Sequence, residues 1–149
     1  MAKQPRKNII NKLYPIKKQK IKKEKIGTSK LEDKFAHEFL DKLGVNYVRQ
    51  FKAESIGRFF DFRIIPNGPI IEVNGGYWHG DPRLYESNDL NKTQIRTQRI
   101  DEYKRKWALL NCIPIYYFWE YDINNNPKKV MDELKKILFK PKKTRKDFY

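Results

Sequence analysis

The chain of 149 residues is 39% hydrophobic and 14% aromatic, which allows one packed core and is too short for two. Lys and Arg number 33 against 18 Asp and Glu, and the formal charge of +15 points to a polyanionic partner, nucleic acid before a membrane surface. No apolar run reaches the roughly 18 residues of a membrane span, no signal-peptide pattern is present, and the single cysteine, Cys112, excludes an intramolecular disulfide framework and a cysteine-rich zinc site, so an intracellular protein with no membrane partner is expected.

Residues 1–28 read as a basic flexible arm that contacts DNA, densest at Lys17, Lys18, Lys20, Lys22 and Lys23; a nuclear-localisation signal would use the same residues. Order is expected from SKLEDKFAHEFLDKLG onward. Ser29 and Glu32 have capping-box spacing, Leu31, Phe35, Phe39 and Leu43 recur at helical intervals, and Gly44 supplies a stop. VNYVRQF, RFFDFRII (58–65) and PIIEV (69–73) read as strands, the last two joined by the turn Pro66-Asn67-Gly68 into a hairpin. A helix follows over about residues 91–110 with Ile100, Tyr103, Trp107 and Leu110 as its apolar side, then a buried strand, CIPIYYFW. Asn126-Pro127 starts a last amphipathic helix carrying Val130, Leu134, Ile137 and Leu138, and residues 141–149 form a basic tail. The order α-β-β-β-α-β-α predicts one α/β domain over residues 29–140, a mixed central β-sheet flanked by helices.

Asp61 and Glu72 each interrupt an apolar strand, and either alone reads equally well as a solvent-facing residue. The turn lies about midway between them, so the hairpin brings them together. Two like charges at close quarters require a proton or a cation between them, and a hard ion such as Mg²⁺ accepts carboxylates while keeping several waters.

The spacing of Asp61 and Glu72-Val73-Asn74 resembles the PD-(D/E)xK nuclease signature, with Asn74 where a lysine usually ends the motif. NGGYWHG, Asp101 in the next helix and the strand ending Phe118-Trp119-Glu120 extend the likeness to the very-short-patch repair (Vsr) endonucleases, and the chain is also similar to phage homing endonucleases of the EDxHD group. The resemblance covers about Lys30 to Glu120. It implies a restriction-endonuclease-like core in which Asp61 and the Val73 carbonyl hold Mg²⁺ (or Mn²⁺), with Glu72 adding a carboxylate that the repair enzymes lack. It further implies that His79 is a general base oriented by Asp101, a task suited to an imidazole, that Glu32 holds waters around the metal, and that Asn74 orients a water. Tyr77 and Trp78 match the aromatic pair with which the repair enzymes reach DNA bases.

Plainer rivals exist: Glu32 as the cap partner of Ser29, Asp101 as an exposed ion-pair partner of Lys104 or Arg105, His79 as a turn residue, Trp78 as core. His37 is read as a helix-surface residue. Gly76 takes the place of one cysteine of the repair enzymes' structural zinc site, so no zinc is expected, and the lysine-dense arm differs from their mismatch-reading arm. The reading is therefore a metal-dependent endonuclease acting on double-stranded DNA, homing-type or phage-encoded, as a monomer or homodimer in a bacterial or phage-infected cytoplasm rather than a nucleus. A mismatch- or junction-specific nicking enzyme and a catalytically inactive DNA-binding protein of the same fold are its alternatives.

Overall fold

The computed structural model of the chain describes residues 29–139; the arm at 1–28, with Lys17, Lys18, Lys20, Lys22 and Lys23, and the tail at 141–149 lie outside the described residues. The first helix, α1, runs through Lys30–Phe35, a π-spaced stretch Ala36–Leu40, and Asp41–Leu43. Ser29 Oγ accepts the Glu32 N–H at 3.1 Å, and Gly44 ends the helix at φ +66°. The wider π spacing turns both Phe39 and Leu40 inward, where they are buried with Phe35. His37 lies on the surface, paired with Asp41 at 3.1 Å.

Four strands follow as one sheet in the order β1-β2-β3-β4: β1 Tyr47–Ala53, β2 Arg58–Ile64, β3 Ile70–Asn74 and β4 Ile115–Trp119. β1, β2 and β3 pair antiparallel, and β4 lies parallel to β3. The expected hairpin is present: Phe62 faces Ile71, Arg63 faces Ile70, and Gly68 N–H closes the turn onto the Ile64 carbonyl at 2.9 Å. β4 is an edge strand and mostly half-buried, not the fully buried strand its composition predicts, because nothing pairs with its far side among the described residues.

The chain between β3 and β4 carries a 3₁₀ turn, Ser87–Asp89, and helix α2, Lys92–Leu110, capped reciprocally by Asn91 and Gln94 at 2.9 and 3.0 Å. After β4 come α3, Glu120–Asn125, which lacks a periodic apolar pattern and was not expected, and α4, Pro127–Leu138. Pro127 opens α4 as expected, but Asn126 does not cap it; its amide donates to Asp122 Oδ1 at 3.1 Å instead.

Two apolar clusters flank the sheet. The larger packs Phe35 on Phe39, Phe62 and Phe118 (ring centroids 5.2, 5.7 and 5.4 Å) and includes Ile71, Val73, Val130 and Leu134. The smaller joins Phe60 and Ile70 to Ala108 of α2, with Trp107 against it. Neighbouring even positions of β2 thus enter different cores. The switch occurs where Gln50, opposite Asp61 in the β1–β2 register, adopts φ +49°: Tyr47 and Phe62 go to one side, Phe51 and Phe60 to the other. Asp61 stands at that crossover. Among the described residues no helix is long and apolar enough to cross a membrane.

Candidate active site

Asp61 and Glu72 meet across the hairpin through backbone as well as charge. Asp61 N–H donates to Glu72 Oε2 at 3.0 Å, and Val73 N–H donates to Asp61 Oδ2 at 2.7 Å. These side-chain bonds replace the ladder beyond Phe62–Ile71, so β2 and β3 part at the carboxylates. Burial, then the neighbouring Glu72 charge, push the Asp61 carboxyl up to about 8; Val73 N–H and Lys104 pull the other way. The two carboxyls also hydrogen-bond each other side chain to side chain, which adds to the rise. The Val73 carbonyl leaves the strand on the same side as its N–H, toward Asp61.

Glu72 is turned to helix α2, where its Oε1 forms an ion pair with Lys104 Nζ. Both groups are sheltered, with side chains 6% and 13% exposed, and the ammonium sits 4.9 Å from the centre of the Phe60 ring. Glu32 approaches from α1. Its carboxylate accepts from Ser29 Oγ at 3.3 Å and from Gln50 Nε2 at 2.9 Å, and burial followed by the charge of Asp61 raises its pKa. Glu32 is therefore both the cap partner and a neighbour of Asp61, and Gln50 ties the helix to the crossover.

The loop Gly75–Gly80 carries His79 back over the sheet. His79 Nδ1 lies 2.6 Å from Asp101 Oδ2, with both side chains about three-quarters buried. A carboxylate only accepts, so Nδ1 carries the proton and Nε2 is left as the acceptor. Asp101 thus pairs with His79 and not with Lys104 or Arg105; Arg105 pairs with Glu102. A row of polar residues along α2 holds the same loop: Asn91 donates to Tyr77 Oη at 3.1 Å, Gln94 to the Tyr77 carbonyl at 2.7 Å and Gln98 to the His79 carbonyl at 3.1 Å. This row, with Asp101, Lys104 and Ala108, is the inward face of the helix. Of the expected apolar side, Tyr103 and Leu110 are instead 51% and 83% exposed, since the loop needs donors where a core would need hydrocarbon.

The loop's other flank is fixed by Glu120, which accepts Gly76 N–H at 3.0 Å, and by Arg83, which joins the fully buried Asp81 (2.9 Å) to Asp122 of α3 (2.9 Å) and covers the Tyr121 ring. Gly80 suits this turn: its φ is +61°, and a Cβ there would sit 2.7 Å from Leu90 Cδ2, which would have to move aside. Tyr77 and Trp78 stack edge to face at 5.2 Å and project outward, Trp78 60% exposed; the alternative of Trp78 as core does not hold.

His79 and Asp101 open onto a cleft of about 290 Å³, lined also by Asn74, Pro82, Tyr117 and Trp119. Tyr117 faces Glu72 in the β3–β4 register, and burial, then the Glu72 and Asp101 charges, push its phenol up to about 12, so it remains a proton donor. No three His, Cys, Asp or Glu side chains among the described residues form one cage. A hard divalent ion such as Mg²⁺, which takes one or two carboxylates and keeps several waters, could be held by the Asp61 carboxylate and the Val73 carbonyl.

Of the residues singled out in the sequence, Asp61, Glu72, Val73 and Glu32 come together, and His79 with Asp101 and Asn74 forms the adjoining cleft. Lys104, Gln50 and Tyr117 were not anticipated. Lys104 could have been found from its place one turn beyond Asp101; no sequence signal marks Gln50. No family model, curated protein or solved structure matches the chain.

Proposed function

We propose that this protein is a divalent-metal-dependent DNA endonuclease with a restriction-endonuclease-like core, a homing-type or phage-encoded enzyme that hydrolyses phosphodiester bonds at a chosen site in double-stranded DNA. The observation that carries the reading is the pair of polar couples bolted to one helix: His79–Asp101 and, a single turn along α2, Lys104 on the Glu72–Asp61 centre. The αβββαβ order, with β4 parallel to β3, and the charge of +15 support it.

When bound at Asp61 and Val73, Mg²⁺ would supply charge neutralisation at the phosphate and an acidified water. His79 Nε2 would take the proton of the attacking water, while Asp101 keeps the ring in the tautomer that leaves Nε2 free and stabilises the imidazolium that results. Glu32 would position waters from α1, the Asn74 amide would orient one at the cleft, and the Tyr117 hydroxyl can donate to a phosphate oxygen there.

The test is cleavage of supercoiled plasmid and of a duplex library containing intact, mismatched and branched targets, with Mg²⁺ or EDTA. The wild type should yield nicked or linear product only with metal, and Asp61→Asn should yield none. DNA binding without cutting across the whole library would turn the reading into that of a DNA-binding protein. The outward Tyr77–Trp78 pair favours a second substrate reading, a mismatch or junction with unstacked bases, and preferential nicking of those library members would select it.

A further inference from the structure

Lys104 has a place in the centre that its sequence neighbours do not explain. Lysines on an amphipathic helix ordinarily point to water. This one is turned inward, its ammonium pressed between the Phe60 ring and a carboxylate that is itself nearly sealed from solvent. Both oxygens of its partner Glu72 are engaged, Oε1 by Lys104 and Oε2 by the Asp61 N–H. Glu72 is also the carboxylate best placed to draw in a second cation, since it contacts Asp61 directly whereas Glu32 is engaged by Ser29 and Gln50.

Charge balance points the same way. Asp61, Glu72 and Glu32 interact with one another in sequence, and Lys104 is the cation acting on Asp61. Once an incoming cation displaces the Asp61 proton, three carboxylates and one ammonium leave two negative charges, which a single divalent ion matches; without the ammonium there would be charge and a free ligand for another. We infer that Lys104 is a built-in counter-ion that keeps Glu72 out of the metal-ligand set and so restricts the centre to one divalent cation. The strand carries an amide at Asn74, and the positive charge of the centre comes from the helix. Two-ion phosphodiester chemistry, with a bridging carboxylate between the metals, is then closed to this site. The inference rests on the metal-dependent reading above.

The experiment is a Mn²⁺ titration of the full chain, without DNA, followed by calorimetry and by the electron paramagnetic resonance of free Mn²⁺, with circular dichroism to confirm folding. Wild type and Lys104→Arg should bind one ion, and Glu72→Gln should still bind one, within about 3-fold of the wild-type affinity. Lys104→Met should take a second ion or hold the first at least about 10-fold more tightly, because it releases a carboxylate. If that variant does not fold, Lys104→Gln, which removes the charge but keeps a polar head against Glu72, should show the same gain, and its absence counts equally against the role. Loss of binding by Glu72→Gln, two ions in the wild type, or unchanged stoichiometry and affinity in folded Lys104→Met would each overturn the counter-ion role while leaving a metal site in place. No Mn²⁺ binding by the wild type, or equal binding by Asp61→Asn, would instead overturn the metal-dependent reading, and the inference with it.

Discussion

Replacing Asp61 with asparagine should make the metal-free protein more stable at pH 8, even though it removes the proposed ligand. Burial and the charge of Glu72 lift the Asp61 carboxyl from an ordinary 3.8 to about 8 in the fold. An unfolded chain releases that proton near pH 3.8, whereas the folded one keeps it until about 8. The folded state therefore holds more protons across this window, so the stability is fully present below it and is lost as the pH rises through it. Each unit of such a shift corresponds to about 1.4 kcal/mol, and because Asp61 is only partly shielded from solvent we expect a penalty on the order of 3 kcal/mol at pH 8. Asparagine keeps an acceptor for the Val73 N–H, which lies 2.7 Å from the carboxylate, and carries no charge. In thermal unfolding with EDTA the variant should melt about 10 °C above the wild type at pH 8, and the gap should shrink toward pH 4. Adding Mg²⁺ at pH 8 should raise the wild type and leave the variant unmoved. Equal melting at pH 8, or a gap that does not change with pH, would refute the assignment of a strained, buried charge to Asp61.

Cleavage assays should show a loss of at least about 100-fold for His79→Ala and for Asp101→Asn, roughly 2.7 kcal/mol of transition-state stabilisation; near-normal rates for either would remove the pair from the chemistry. Gly80→Ala forces a side chain into the left-handed region against Leu90, and urea unfolding should register a loss of about 2 kcal/mol. Arg83→Ala strips Asp81 of its guanidinium partner and leaves it the residue-83 N–H, so with Arg83 42% exposed it should lower stability by about 1 kcal/mol, part of which returns in the double variant with Asp81→Asn. Trp78→Ala should leave the melting temperature alone, because the ring is 60% exposed, yet weaken DNA binding in a fluorescence anisotropy titration by about 10-fold, the scale of one lost base stack.

The hairpin and the meeting of Asp61 with Glu72 were legible because turn chemistry at Pro66–Gly68 fixes the midpoint, and a midpoint fixes the register. Helix α2 was legible in extent but not in orientation. A periodic apolar stripe is expected to face a core, and Ile100, Tyr103, Trp107 and Leu110 offer one; here a loop of exposed carbonyls and an imidazole competes for the inward face, and side-chain donors satisfy it better. The same competition explains Trp78: its loop is anchored through backbone groups, so the ring is free to project. Lys104 was read only as a neighbour of Asp101, since spacing along a helix reveals which residues share a face and not which strand they meet. α3 escaped because its six residues are too few to display a period.

The inverted helix α2 has a consequence for how such a chain can drift over generations. In most amphipathic helices the hydrocarbon stripe changes slowly and the polar stripe changes freely. Here Tyr103, Leu109 and Leu110 lie at the surface, and each of Asn91, Gln94, Gln98, Asp101 and Lys104 has a specific partner. In lineages descending from this sequence the polar row should change slowly and Tyr103, Leu109 and Leu110 quickly, so a ranking of positions by hydrophobicity would mistake replaceable residues of the helix for indispensable ones.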